Sequence, residues 1–127
     1  MKNIPLVIDF DGTIAEHSYP AIGEPVPHAF ETMKQWQKEG ALLILFTMRS
    51  GKELADAVNF CKENGVVFYG VQTNPTQSQW TSSPKAYGEL IIDDAAAGCP
   101  IIIKDKRRPY VNWLEIDKIV RIRLSQK

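Results

Sequence analysis

Apolar runs alternate with stretches of helical periodicity along most of the chain. Residues 4–10 form a short, nearly continuous apolar and β-branched run that ends at a polar turn, and residues 41–46 form a second run that is apolar on both faces. Runs of this kind are typical of strands buried within a parallel sheet. Shorter apolar runs at residues 66–69, 89–92 and 100–103 predict three further strands.

Apolar residues at helical spacing predict three helices, over residues 27–39, about 51–63 and 111–124. Pro27 suits the first turn of the first helix, and Gly40 suits its C-terminal cap. Strands and helices that alternate with short connections predict an α/β fold. We therefore expect a three-layer, Rossmann-like open sheet of about five mainly parallel strands, with helices on both faces and right-handed crossovers.

The chain of 127 residues is 44% apolar, which is enough for one core, so we expect a single domain over residues 1–127. Its 15 basic and 15 acidic side chains cancel, which gives no overall field to attract nucleic acid or an anionic membrane. No segment approaches the roughly 18 apolar residues of a membrane span, and the first apolar run is too short for a signal peptide. We expect a cytoplasmic protein in which Cys61 and Cys99 are buried free thiols.

The predicted strand ends carry the polar residues that matter for function, because ligands of open parallel sheets bind beyond the carboxyl ends of the strands. Residues 9–13 follow the first strand, residues 47–51 follow the second, and Asp93 and Asp94 follow the fourth, with Lys85 shortly before it. Several carboxylates in one crevice repel each other unless a divalent cation and a cationic side chain offset them. Oxygen ligands point to Mg²⁺ rather than zinc, and Mg²⁺ suits a phosphoryl substrate.

These residues resemble the four ordered motifs of the haloacid dehalogenase superfamily: Asp9-Phe10-Asp11-Gly12-Thr13, Thr47, Lys85 and Asp93-Asp94. The segments between the motifs leave no room for the inserted cap domain of many relatives, so the chain resembles the small capless phosphatases. The resemblance implies a Mg²⁺-dependent phosphomonoester hydrolase that acts through an aspartyl-phosphate, with a small phosphorylated metabolite as its substrate.

The resemblance also implies a role for each motif residue. Asp9 is expected to be the nucleophile that attacks phosphorus. Asp11 is expected to protonate the leaving oxygen and then to activate water, with its backbone carbonyl facing the metal. Thr47 is expected to donate a hydrogen bond to the phosphoryl oxygens, and Lys85 to neutralise charge on the phosphate and on Asp9.

Asp93 and Asp94 are expected to complete the Mg²⁺ site together with the two aspartates of the first motif. The sequence leaves open which of the two contacts the metal directly. Arg49 lies close enough to the second motif to bind the phosphate or substrate, and a structural salt bridge is the alternative for this residue.

Further residues could bear on substrate selection. Residues 16–19 lie in the segment that forms a mobile flap in similar proteins, while His17 and His28 lack metal-ligand spacing and are expected at the surface. Trp80 could stack on a ring or anchor its loop to the core. The basic cluster at residues 104–108 could steer a polyanion, but such clusters are usually solvated turns.

Two alternatives to a metabolite phosphatase remain open. A capless site could admit a macromolecule, such as a nucleic-acid end or a phosphoprotein. The fold could also serve as a non-catalytic phosphate-binding module, although a pure binder needs neither the nucleophile Asp9 nor the matched acid Asp11. The sequence identifies neither the physiological substrate nor the oligomeric state.

Overall fold

A computed structural model describes residues 1–126 of the chain. Its strands and helices alternate over residues 5–71, as the apolar pattern predicts. The strands are β1 (Pro5–Ile8), β2 (Leu42–Leu45), β3 (Gly70–Val71), β4 (Leu90–Ile92), β5 (Ile101–Ile102) and β6 (Tyr110–Val111), and the helices are α1 (Ala29–Lys38), α2 (Gly51–Glu63) and α3 (Trp113–Ser125).

The main sheet has four parallel strands in the order β3-β2-β1-β4, so the chain has an α/β fold. Val7 of β1 lies beside Ile44 of β2 and Ile91 of β4. β2 and then β3 lie on one side of β1, and β4 lies on the other side, so the strand order reverses direction at β1. This reversal places a crevice between the carboxyl ends of β1 and β4, where open parallel sheets bind ligands.

The prediction of a fifth strand in the main sheet is wrong. β5 pairs antiparallel with β6, and the two form a separate ribbon. β6 occupies Tyr110–Val111, where the pattern predicts the start of the last helix, and α3 begins two residues later at Trp113. A strand of two residues is too short to show the period of two by which a strand is recognised.

The third strand lies slightly later than predicted. After α2, Gly65 has a φ of 88° and the N–H of Val66 donates to the Cys61 carbonyl, so the first residues of the apolar run close the helix. The chain then meets β2 from Tyr69 onward, where the Tyr69 N–H donates to the Leu43 carbonyl over 2.7 Å. The ladder therefore covers Gly70–Val71 rather than residues 66–69.

One face of the sheet carries the larger core. Alternate strand residues point to opposite faces, and Leu6 and Ile8 join a cluster that takes buried residues from α1, α2 and α3. Trp36 of α1 and Trp113 of α3 pack with ring centres 5.6 Å apart. Cys61 is buried in this core as expected, whereas Cys99 is half-buried. No helix among residues 1–126 is long and apolar enough to cross a membrane.

The other face of the sheet is covered differently from the prediction of helices on both faces. Among the described residues, the buried cluster on this face consists of Val7, Ile44 and Ala86. Ala86 belongs to residues 72–88, an irregular connection that contains a short 3₁₀ turn at Gln77–Gln79. A connection of that length without regular structure is unusual in a compact domain, and here it covers a face of the sheet.

Candidate functional site

A pocket of about 510 Å³ lies beyond the carboxyl ends of β1, β2 and β4. Asp9 directly follows β1 and Asp93 directly follows β4, and the Asp9 N–H donates to the Ile92 carbonyl over 2.9 Å, so the two strand ends are joined at the site. The pocket is lined by residues from all three strand ends, from residues 17–19 and from the turn before β6: Asp9, Asp11, His17, Tyr19, Thr47, Met48, Arg49, Asp93, Asp94, Ala95 and Arg108.

The carboxylates of Asp9, Asp93 and Asp94 converge in this pocket, with one oxygen of each lying within 4.8 Å of the others. Burial raises the pKa of Asp9 to about 8, and the nearby charges of Asp93 and Asp94 act in the same direction. Among residues 1–126, no lysine or arginine forms an ion pair with these three carboxylates. Three carboxylate oxygens at this separation fit a hard divalent cation such as Mg²⁺.

Thr13 positions two of these carboxylates. Its fully buried hydroxyl lies 3.3 Å from Oδ2 of Asp9 and 3.4 Å from Oδ1 of Asp94, and it accepts a hydrogen bond from the Asp94 N–H over 3.2 Å. The indole N–H of Trp113 donates to the Thr13 carbonyl over 2.7 Å and ties the residue to α3. Thr13 belongs to the first motif, but the pattern gives no indication of these contacts.

Gly12 allows Asp94 to approach the first motif. Its φ is 80°, and a Cβ atom at this position would clash with the Asp94 carboxylate and the His17 ring. The N–H of Val111 in β6 donates to the Gly12 carbonyl over 3.0 Å, so the antiparallel ribbon supports the same turn. Glycine is therefore required here for conformation and for space.

His17 lies in the site and not at the surface where it is expected. Its Nε2 atom lies 2.8 Å from Oδ2 of Asp94, and both side chains are largely shielded from solvent. The sequence gives no metal-ligand spacing for this residue. The turn over residues 10–15, which precedes His17, is closed by backbone hydrogen bonds to the Phe10 carbonyl. His17 orients Asp94 toward the carboxylate cluster.

Asp11 does not join the carboxylate cluster through its side chain. Arg49 donates from Nε to one Asp11 oxygen and from Nη2 to the other, each over 2.8 Å, and its side chain is 1% exposed. The same guanidinium donates to the carbonyls of Pro20 and Ala21 over 3.1 and 2.7 Å. Of the two roles open for Arg49, the structure shows the salt bridge, and it links Asp11 to the segment around Tyr19.

Thr47 lies in the pocket as expected, and a residue that the pattern does not single out holds it there. The hydroxyl of Thr47 accepts from the Arg49 N–H over 3.1 Å, which leaves its own proton to donate to a ligand. Gln72, at a φ of 66°, accepts from the Thr47 N–H over 2.8 Å and donates to the Thr47 carbonyl over 2.6 Å. Gln72 thereby fixes the loop that follows β2.

Lys85 is not brought to this pocket, contrary to its expected role beside Asp9. It lines a separate pocket of about 300 Å³ with Trp80 and Tyr87. The buried Gln77 holds this segment in place, since its amide donates to the Lys85 carbonyl and accepts from the Tyr87 N–H, each over 2.7 Å. Trp80 packs edge-on against Tyr87 and remains exposed, so it neither anchors the loop in the core nor reaches the carboxylate cluster.

The pocket rim combines apolar and basic side chains. Tyr19 is 62% exposed and Met48 is 98% exposed, although both line the pocket. Of the basic cluster at residues 104–108, Arg108 lines the pocket, while Arg107 pairs with Glu16 over 3.4 Å. The cluster is thus not merely a solvated turn.

Similarity to a solved structure establishes the family to which this chain belongs. No protein-family model and no curated protein matches the chain. A solved structure, that of a conserved protein from Bacteroides thetaiotaomicron, matches with 36% sequence identity and a TM-score of 0.77, over 94% of this chain and 91% of that chain. At this identity over nearly the full length, the chain belongs to the same family as that conserved protein.

Proposed function

We propose that this chain is a Mg²⁺-dependent phosphomonoester hydrolase of the haloacid dehalogenase type, which acts through an aspartyl-phosphate on Asp9. The observation that carries the proposal is the convergence of Asp9, Asp93 and Asp94 at the end of the interior strand β1, with oxygens within 4.8 Å of one another. Oxygen-only ligands beside a carboxylate nucleophile are the arrangement that metal-assisted phosphoryl transfer requires.

In this proposal Asp9, Asp93 and Asp94 hold the Mg²⁺ ion. The bound ion supplies positive charge that keeps Asp9 ionised and offsets the charge of the phosphoryl group. Thr13 and His17 orient Asp94 and so determine the shape of the cluster. The side chain of Asp11 is excluded from the ligand set by its contact with Arg49.

The proposed chemistry proceeds in two displacements. An Asp9 oxygen attacks phosphorus as the bond to the leaving oxygen breaks, and Asp11 gives its proton to that oxygen. A water molecule then attacks the phosphorus of the acyl phosphate, and Asp11 takes the proton of that water. The bond to Asp9 breaks, which releases inorganic phosphate and restores the carboxylate.

Asp11 can take part only after its contact with Arg49 loosens, because both of its oxygens are engaged in that pair. Arg49 also holds the carbonyls of Pro20 and Ala21, so a movement of this segment upon substrate binding would free Asp11. The proposal therefore couples the segment around Tyr19 to the proton-transfer step.

The proposal includes a three-layer, Rossmann-like arrangement without a cap domain. Residues 72–88 would then take the place of the helical layer on the second face of the sheet. Thr47 would donate its hydroxyl proton to a phosphoryl oxygen. Lys85 would reach the phosphate only if residues 81–88 rearranged, since it lines the other pocket.

Turnover of para-nitrophenyl phosphate with and without Mg²⁺ tests this proposal. Asp9→Asn removes the nucleophile, so kcat/KM should fall at least about a thousandfold while circular dichroism remains that of a folded α/β protein. Asp56→Asn is the matched control, because Asp56 lies in α2 and pairs with Lys52 at the surface. Retained activity in Asp9→Asn, or Mg²⁺-independent turnover, contradicts the proposal.

Two observations favour a second candidate, a phosphate-binding module without catalysis. Arg49 engages both oxygens of Asp11, and Lys85 lies outside the site. Calorimetric titration with inorganic phosphate in the presence of Mg²⁺ separates the two functions. Phosphate binding without turnover of small phosphomonoesters, phosphorylated oligonucleotides or phosphopeptides would establish the module in place of the enzyme.

A further inference from the structure

Arg108 is a basic side chain that lines the pocket at the carboxyl ends of the strands. Within residues 1–126 it makes no hydrogen bond or ion pair, although it lines the pocket and is exposed. Arg49 forms an ion pair with Asp11, and Lys85 lines the other pocket. The neighbouring Arg107 forms an ion pair with Glu16. A positive charge without a partner is therefore available to a ligand.

The turn that carries Arg108 is anchored close to the carboxylate cluster. It connects β5 with β6, and the Val111 N–H at the end of β6 donates to the Gly12 carbonyl over 3.0 Å. Arg107 reaches back to Glu16 over 3.4 Å. These contacts fix the turn on both sides of Arg108, so the residue belongs to the site and is not on a distant surface loop.

The pocket is much larger than a phosphate group. Its volume of about 510 Å³ falls within the range of pockets that enclose a whole small molecule. The phosphoryl group has to reach Asp9, which is largely buried beside β1 and β4, whereas Arg108 is exposed at the rim with Tyr19 and Met48. The part of the substrate that meets the rim is therefore the leaving group.

We infer that the substrate's leaving group carries a second anionic group, a carboxylate or a further phosphate, which Arg108 binds, and an apolar portion that Tyr19 and Met48 contact. This inference rests on the proposed phosphatase activity. A guanidinium pairs with either anion through two parallel hydrogen bonds. The carboxylate cluster of Asp9, Asp93 and Asp94 repels an anionic group on the substrate, so an unpaired cation at the rim has a strong effect on which substrates enter.

Two aryl phosphates that differ in one charge test the inference. Para-carboxyphenyl phosphate carries the second anion, and para-carbamoylphenyl phosphate is its neutral counterpart of nearly the same shape. The measured quantity is the ratio of kcat/KM for the charged substrate to kcat/KM for the neutral one. Wild-type protein should favour the charged substrate, and Arg108→Ala should lower the ratio roughly tenfold. Lys106→Ala is the matched control and should keep the wild-type ratio, because Lys106 is an exposed basic residue of the same turn that does not line the pocket.

The outcomes separate this inference from the proposed function. If Arg108→Ala loses activity equally on both substrates, Arg108 acts on the transferred phosphoryl group and the inference is overturned. If the wild-type protein shows no preference while it hydrolyses both substrates, the inference is overturned and the phosphatase proposal stands. If neither substrate is hydrolysed with Mg²⁺ present, the proposed function fails and the inference fails with it.

Discussion

Burial and two neighbouring carboxylates, those of Asp93 and Asp94, all raise the pKa of Asp9. The pKa of Asp9 is raised to about 8, first by desolvation and then by Asp93. The unfolded chain exposes the same group to water, where its ordinary pKa is 3.8. The folded protein thus binds the Asp9 proton more tightly than the unfolded chain does. Stability and metal binding at this site are both linked to that proton.

We expect Asp9→Asn to stabilise the metal-free protein at alkaline pH. The stability that protonated Asp9 contributes is complete below pH 3.8 and is lost as the pH rises toward about 8. An asparagine stays neutral throughout, so the variant should melt roughly 5 °C above wild type near pH 8, with a smaller difference near pH 4. Thermal unfolding in a chelator measures this effect, with Asp56→Asn as the control. A difference independent of pH would contradict the account of Asp9.

Arg49→Ala should destabilise the protein by about 3 kcal/mol, because it leaves Asp11 and two backbone carbonyls without their partner in a shielded site. Arg49→Lys should recover only part of that loss, since an ammonium cannot bind both Asp11 oxygens in parallel. Urea denaturation gives both values. A decrease in the free energy of unfolding of less than about 1 kcal/mol for Arg49→Ala would show that the Arg49–Asp11 pair contributes no more than a surface ion pair does.

At the scale of elements, the turn after β1 brings the end of β4 into the site. Gly12 leaves space for Asp94 and His17, and β6 supports the turn from the other side. Short elements with few residues thus control the geometry of the carboxylate cluster. The first motif is constrained by packing as well as by chemistry.

Gly12→Ala should cost about 2–4 kcal/mol, because it combines an unfavourable φ with a clash against Asp94 and His17. Gly98→Ala is the matched control: Gly98 has a φ of 85° but open space where a Cβ would lie. The control should cost about 1 kcal/mol. Urea denaturation gives the free energy of unfolding of both variants. An equal decrease in the two would show that the close approach of Asp94 to Gly12 does not affect stability.

At the scale of the whole molecule, the strand ends are the part of the site that the sequence predicts best. Asp9 and Asp93 meet because the carboxyl ends of adjacent parallel strands lie at one edge of the sheet. The position of Lys85 could not be predicted, because residues 72–88 show no periodicity. In the structure the amide of Gln77 holds Lys85 by donating a hydrogen bond to its carbonyl. The partner of Asp11 could not be predicted either, since two roles for Arg49 are equally compatible with its spacing.

Mg²⁺ should stabilise the whole protein, because a ligand that binds the native carboxylate cluster and not the unfolded chain adds its binding free energy to folding. A hundredfold excess over the dissociation constant adds about 2.7 kcal/mol. Asp94→Asn should remove most of the rise in melting temperature, while Asp56→Asn should retain it. An equal rise in both variants would place the ion elsewhere.

The most direct test of the phosphatase account is whether Asp9 becomes phosphorylated. Protein mixed with Mg²⁺ and para-nitrophenyl phosphate, quenched in acid and digested, should yield a peptide that carries a phosphoryl group on Asp9 by mass spectrometry. Asp11→Asn should change the amount of this intermediate, and Asp9→Asn should abolish it. Release of inorganic phosphate with Asp9 unmodified throughout, or with the phosphoryl group on another residue, would contradict the account.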